Sequence, residues 1–590
     1  MLKNPEYQGF LLHFSSSRRF PAVPKTSGVI PLTRAGTIGK HWLLVFWELW
    51  TSKMTDNILL PLPTGTSDFE TLRKRGQLYV DKTAQIYDLA SKFEKFFLTR
   101  PRRFGKSLLV STFASLFRNG LKYFSGLAIE KLWKDTTYNV VEIDFSEVKG
   151  FSDFESFEQN IREVVVSAFA KGGFVLDKSD VSNWIYQISN WMKAQPLSSL
   201  VLLIDEYDAP HTACLENKAL FNRVRGLLST FYAVIKSNDA CLRFVFMTGI
   251  TKFNQTGIFS ELNNFSDISL YPGFGTLLGY SEDDIRTYFA GYLARAAERL
   301  KLPANEVLNR MRENYDGYCF DMLVSTHVYA PWSVMRFFAA PELGFSNYWM
   351  KSGGTLTLLE KYLHSHALKS PTEYGEEQII ACDELDSSAD FDTISDLALL
   401  TQAGYLTIKR QEIDAFYVSY PNREVAKSMA ALYARMLLKK QTVASAGGQS
   451  VKEAVLAGDV EALFGAVNKT FAAFDYVQHP IKTEKICQTF LLIILTCVGF
   501  DVASERHSAL GRSDLEWDTT DFHWVLELKF QRKGQDAKAL LDKAVKQISD
   551  RNYGASSSKS LVRAAAVFSE EKRAFICWQN ADLRKCEKAD

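Results

Sequence analysis

The stretch "KFFLTRPRRFGKSLLVSTFASLF" (95–117) constrains this chain more than any other: an apolar strand pattern runs into Gly105-Lys106-Ser107 and then into a helical pattern. A strand that ends in such a turn at a helix start aims backbone N–H groups at one spot, the geometry that cradles phosphate. Lys106 would then reach the β and γ phosphates, and Ser107 would ligate magnesium. The glycine that opens most loops of this kind is replaced by Arg100, whose Cβ restricts the turn. On this stretch alone, a basic turn that merely mimics a phosphate loop stays open. Arg100, Arg102 and Arg103 crowd positive charge at its mouth, either to assist phosphate or to meet neighbouring carboxylates.

A second segment, "LVLLIDEYD" (200–208), shifts the balance toward a nucleotide hydrolase. An aspartate at that strand tip, Asp205, can hold magnesium, and Glu206 beside it can orient and polarise an attacking water. Thr248, ending "LRFVFMTG" (242–249), is a candidate sensor of the γ-phosphate, although strand-end threonines are usually structural. With "NVVEIDFS" (139–146) these runs make four continuous apolar strands separated by helical patterns, which implies a parallel sheet covered on both faces.

The 590 residues exceed what one core supports, so two to four domains are expected. The net charge of +1 gives no global basic field, so a nucleic-acid partner would be held by local patches. Eight scattered cysteines without a C-x-x-C pair exclude a disulfide framework and fit a cytoplasmic location. No apolar run reaches the length of a membrane helix, so no membrane partner is expected; "TFLLIILTCVGF" (489–500) reads as a buried helix.

Residues 1–53 are rich in Lys, Arg and Ser, as in a transit peptide; the plainer reading is an upstream extension, with Met54 the natural start. Ser281 and Asp284 start a helix over 281–300. The helix–turn–hairpin order of 397–425 fits a winged-helix-like module or a helical lid with a hairpin, and basic side chains on its helix would favour the former. The Gly-rich "TVASAGGQS" (442–450) marks a boundary.

Together, "FFLTRPRRFGKSLLVSTFASLF", "VLLIDEYDAP", "RFVFMTGITKF", "YDGYCF" and "NYWMKSGG" resemble the bacterial AAA-ATPase-like family, over roughly residues 57 to 580. In that family the loop reads Arg-Pro-Arg-Arg-Phe-Gly-Lys-Ser, and a PD-(D/E)XK nuclease-like domain follows. The resemblance implies an α/β chain: a P-loop ATPase domain with a parallel sheet (54–280), a helical and winged-helix-like region (281–441), and a nuclease-like domain (442–590).

Nuclease chemistry of this type needs carboxylates to hold magnesium and a lysine beside the attacking water. "GRSDLEW" offers Asp514, and "WVLELKF" offers Glu527 and Lys529, which share one face of a strand while Leu528 points to the core. A hairpin through "DTTD" (518–521) would bring Asp514 alongside, within reach of the same cation. E-x-K on a strand is by itself usually a surface ion pair; Asp514 and the resemblance reverse that reading. The resemblance adds Glu484 as an auxiliary acid and Gln547 as a supporting helix residue. His211 and His523 lie near the two acidic sites without ligand-spaced partners, and Asp208 fits a helix cap.

The expected function is an ATP-binding and hydrolysing protein coupled to a magnesium-dependent endonuclease, with DNA as the expected nucleic acid and a homo-oligomer as a possible state. Arg100, Arg103, Gly105, Lys106, Ser107, Asp205 and Thr248 would bind nucleotide; Ser107, Asp205, Asp514 and Glu527 would hold metal; and Glu206, Asp514, Glu527, Lys529 and Glu484 would act in catalysis. The rivals are a nucleotide-switched regulator or nucleic-acid binder that does not cut, and an ATPase that remodels protein.

Overall fold

A computed structural model describes residues 59–581 apart from 93, 253–263, 350–358, 360–361, 363–368, 370, 387–392, 439–441, 478, 505–506, 509–510 and 555–556. The expected extension, 1–53, lies outside the described residues.

Five parallel strands build the first sheet: β1 (Lys95–Thr99), β2 (Asn139–Asp144), β3 (Leu200–Asp205), β4 (Leu242–Gly249) and β5 (Ser266–Asp267). Their order is β2-β3-β4-β1-β5. Every residue of β3 and β4 is buried, which is why these runs are continuously apolar instead of alternating. Alternation along each strand still divides the core. Phe96, Leu98, Leu203 and Phe246 meet Leu109, Phe113 and Phe117 of the helix Lys106–Asn119 on one face. Phe97, Leu202, Ile204 and Met247 meet Ile161 of the helix Phe154–Lys171 and Phe231 of the helix Lys218–Ser237 on the other. All strand tips therefore point one way, and helix starts gather there.

Ser281 and Asp284 form the expected capping box, but the helix breaks at Phe289 into Glu282–Tyr288 and Ala290–Leu300. Further on, β6 (Gln378–Ala381), β7 (Thr407–Glu412) and β8 (Ala415–Ser419) form an antiparallel sheet in the order β6-β8-β7, preceded in the hairpin by the helix Asp396–Gln402. That helix, "DLALLTQ", carries no lysine or arginine, so it does not present the basic face a nucleic-acid reader would need. The turn after it, at Gly404, packs against the phosphate loop. Gly404 has φ +85°, and a Cβ there would stand 2.6 Å from the Pro101 ring.

The helix Arg423–Leu437 leads toward the second sheet. Near its start, buried Glu424 accepts hydrogen bonds from the Ser333 hydroxyl and the Tyr348 and Trp349 N–H groups, while burial pushes its carboxyl up to about 7. The stretch 442–450, expected as a boundary, is helical from Ala444 onward, with a kink at Gly447 (φ +104°). Its Ala446 carbonyl accepts the Thr470 hydroxyl at 3.1 Å, so small residues here permit close helix packing and not a linker.

The second sheet comprises β9 (Val502–Ser504), β12 (Leu515–Asp518), β13 (Phe522–Gln531), β14 (Ser560–Ser569) and β15 (Ala574–Asn580), in the order β15-β14-β13-β12-β9; a small pair, β10 (His507–Ser508) and β11 (Gly511–Arg512), precedes β12. β13 and β14 run parallel through the crossover helix Ala537–Arg551. The helix Glu484–Cys497, apolar nearly throughout, covers the opposite face with Leu491, Ile494 and Leu495. Among the described residues no helix is long and apolar enough to cross a membrane.

Gly404→Ala is expected to cost about 2 kcal/mol, because the new Cβ meets Pro101 and the backbone conformation disfavours it. A thermal midpoint equal to that of the parent would show that this contact is not tight.

Candidate functional site

At the first sheet's tips, Gly105 takes φ +95° as the N-cap of the helix Lys106–Asn119, a conformation that a residue with a Cβ rarely adopts. Beside it opens a cavity of about 610 Å³ whose walls include Arg103, Gly105, Lys106, Ser107, Glu206 and Trp332. The buried Lys106 ammonium donates to the Arg100 carbonyl at 2.9 Å and the Pro101 carbonyl at 3.1 Å. Burial lowers its pKa, opposed by Asp205, Asp208 and Glu206.

Asp205 is 5% exposed, accepts the Glu206 N–H at 2.9 Å and has the Ser107 hydroxyl near enough to favour its charged form. Burial pushes its carboxyl up to about 6, against the pull of Ser107 and Lys106. This hydroxyl–carboxylate pair beneath the loop is the donor set a divalent cation uses beside a phosphate. Glu206 follows with φ +49°, lines the cavity and lies 3.7 Å from the Lys149 ammonium. The guanidinium of Arg103, whose own φ is +69°, lies over the Trp332 ring at 4.6 Å. Sequence gave no signal for Trp332, because it arrives from the helix Pro331–Ala339, far along the chain.

Two expected nucleotide contacts are corrected. Arg100 is buried and directed away from the cavity: its guanidinium donates to the carbonyls of Thr99, Ser269 and Phe274 and lies 4.3 Å from the Phe320 ring centre. It ties the loop's first residue to neighbouring segments. Thr248 is fully buried and donates to the Leu98 carbonyl at 2.8 Å, so its hydroxyl serves the sheet and not a phosphate. Asp208 stands at the N-cap of the helix Ala209–Ala213, but its carboxylate makes no cap bond; it accepts the Ile250 and Thr251 N–H groups and the Thr251 hydroxyl, anchoring the segment after β4. His211 is buried against Phe221 without a hydrogen-bond partner, and burial holds its pKa down at about 3.

The second centre follows from strand register. β12 and β13 are antiparallel with Leu515 opposite Leu526 and Trp517 opposite Trp524, so Asp514 and Glu527 are the next facing pair. The two tryptophan rings stack at 5.3 Å with an interplanar angle of 10°, pinning a register that a one-residue slip would invert. Asp514 Oδ2 accepts the Leu528 N–H at 2.6 Å. Glu527 is 1% exposed; its Oε1 accepts the Lys529 ammonium at 2.8 Å, while its Oε2 has no hydrogen-bond partner. Burial, then the charge of Asp514, pushes the Glu527 carboxyl up to about 7. Lys529 is raised despite burial, because Glu527, Glu484 and Asp514 surround it.

Glu484, at the start of its helix, accepts the Phe530 N–H at 3.1 Å and lies 3.9 Å from the Lys529 ammonium. Gln547 is half-buried on the crossover helix, one turn before Arg551, which interacts electrostatically with Glu527. His523 bridges Asp518 at 2.9 Å and Glu516 at 3.5 Å, so its ring belongs to an ion cluster along the same face.

Among the described residues no group of three His, Cys, Asp or Glu side chains is already gathered as a metal cluster; Lys529 sits among the acids instead. The unsatisfied Oε2 of Glu527 beside Asp514 nevertheless fits a cation, since a buried carboxylate oxygen without a partner is costly.

A family model described as a predicted AAA-ATPase matches residues 63–259, and one for the PD-(D/E)XK nuclease superfamily matches residues 482–578. An uncharacterized protein in the vnfD 5′ region of Azotobacter chroococcum mcd 1 is 30% identical over 503 residues, covering 83% of this chain and 92% of that one. Among solved structures, the Walker-type ATPase paby2304 of Pyrococcus abyssi is 12% identical, with a TM-score of 0.32 over 63% of this chain and 98% of that one.

Glu527→Gln is expected to raise the unfolding midpoint in metal-free buffer near pH 8. Its folded-state pKa of about 7 exceeds the ordinary 4.5, so ionisation destabilises the fold above pH 7 and has no effect below 4.5. The gain should fade across that window; a gain independent of pH would mean that burial does not strain this carboxyl.

Proposed function

Because the chain belongs to the family of predicted AAA-ATPases that carry a C-terminal PD-(D/E)XK nuclease-superfamily domain, we propose that it binds and hydrolyses ATP and couples that cycle to magnesium-dependent cleavage of nucleic acid, DNA first among the candidates. The observation that carries the nuclease half is the buried, unsatisfied Oε2 of Glu527 facing Asp514, with Lys529 alongside. A fold kept only for binding has no need of an ionisable oxygen held in that state.

In the ATPase half, the N–H groups that follow Gly105 receive the phosphates, and Lys106 leaves its two carbonyls to reach them. Glu206, exposed to the cavity beside buried Asp205, orients the attacking water and takes its proton. In the nuclease half, Asp514 and Glu527 would hold the magnesium ion, and Lys529 steadies the charge that develops on the scissile phosphate. Glu484 holds Lys529 in place from the other side. Magnesium, when bound at either centre, would neutralise phosphate charge and acidify a water.

Coupling has a physical route. The Pro101 ring abuts Gly404, and the module that contains Gly404 continues into the helix Arg423–Leu437. Arg423 reaches Glu313 of the helix Ala304–Tyr315 at 2.7 Å and Asp501, beside the nuclease sheet, at 2.8 Å. A change in the phosphate loop thus has packed neighbours all the way to the second sheet.

Lys106→Ala is expected to reduce ATP turnover about a hundredfold or more, and intact turnover in the pure variant would refute the first site. Asp514→Ala and Lys529→Ala should each abolish magnesium-dependent cleavage while leaving ATP turnover in place; unchanged cleavage would refute the second. A parent that hydrolyses ATP and binds DNA without cutting it would establish the binding rival.

A further inference from the structure

We infer that Lys482, Lys485, Arg532 and Lys533 form a track that holds the phosphate backbone of the nucleic acid against the Asp514–Glu527–Lys529 centre, independently of base sequence. The inference rests on the nuclease reading above and adds the surface that presents the substrate.

The geometry begins with Glu484, whose carboxylate accepts the Phe530 N–H at 3.1 Å. That bond places the first turn of the helix Glu484–Cys497 against the end of β13. Lys482 and Lys485 flank Glu484 on the helix side. Arg532 and Lys533 follow Gln531 on the strand side, in a turn closed by the Gln535 side chain, which accepts the Arg532 N–H at 2.8 Å. Two pairs of cations therefore stand on either side of the place where Glu484, Lys529 and Glu527 meet.

All four side chains are exposed, and among the described residues none of them is paired with a carboxylate. Several exposed arginines elsewhere are neutralised, Arg118 by Glu142, Arg310 by Glu306 and Arg410 by Glu377, whereas these four cations, two close pairs in sequence around one centre, meet no carboxylate among the described residues. With a net charge of only +1, four unpaired cations at the rim of one centre are a local feature and not an overflow of basic residues.

The helix start adds to the same field. Its N–H groups and dipole favour an anion; Lys485 stands in the first turn, whose side chains lean toward the N-terminal end, and Lys482 comes just before the Thr483 N-cap. Three of the four cations are lysines, point charges without the planar fork that reads base edges. Such a set recognises repeated phosphates in place and register, and reads no bases.

The test is equilibrium binding of the full-length protein to fluorescent random-sequence oligonucleotides, duplex and single-stranded, in metal-free buffer across a salt series. Combined Lys482→Ala, Lys485→Ala, Arg532→Ala and Lys533→Ala should weaken binding at low salt at least about a hundredfold and flatten the slope of log affinity against log salt by about 3. The loss should be equal for all sequences, and exchange of lysine with arginine at the four positions should restore it. Retained ATP turnover shows that the variant is folded. If the parent cleaves nucleic acid while the alanine variant binds with the parental affinity and slope, the track is refuted and the nuclease reading stands. If the parent neither binds nor cleaves any of these substrates, the nuclease reading itself fails and takes the track with it.

Discussion

One helix belongs to two cores. Arg423–Leu437 buries Val425, Met429 and Leu432 in the core that lies under the phosphate-loop helix, and Ala434 and Leu437 in the core of the second sheet. Apolar burial worth about 1.5–3 kcal/mol per large side chain makes such a shared helix hard to detach from either partner. The two chemical centres are consequently built on one continuous packed framework and not on beads joined by a tether. The exposed ion pairs of Arg423 add little by comparison.

Both centres use the same device: a strand acid, Asp205 at a tip and Glu527 in mid-strand, taken out of water and left to be compensated by its neighbours. Asp205 leans on Ser107 and Lys106, whereas Glu527 leans on Lys529 alone and keeps one oxygen unsatisfied. The difference is one of completeness. Burial raises both carboxyls, Asp205 to about 6 and Glu527 to about 7, but only Glu527 keeps a buried oxygen without a hydrogen-bond partner, and this is where an external cation has most to contribute.

The parts that were legible in the sequence share a property: their determinants are local. Continuous apolar runs gave the four long strands of the first sheet, and the spacing of Asp514, Glu527 and Lys529 carried the register because period-2 alternation needs no distant information. Arg100 and Thr248 were misread because their partners, Ser269, Phe274 and Leu98, lie on other strands or segments, and nothing nearby tells where a side chain turns. At 442–450 composition marked a boundary but not its conformation, since small residues suit both loops and tight helix contacts. Glu424 gave no signal at all, because Ser333, Tyr348 and Trp349 reach it only through the tertiary fold.

The posture of Lys106 sets a threshold for what the first centre accepts. Its ammonium already rests on two carbonyls of its own loop, each a charge-assisted bond. An anion that draws it off must offer more attraction than both together. A singly phosphorylated compound brings little charge to that spot, whereas a chain of phosphates brings several oxygens at once. Under the proposed nucleotide reading, selectivity for the longer polyanion would follow from the lysine's resting place, before any contact with sugar or base is made.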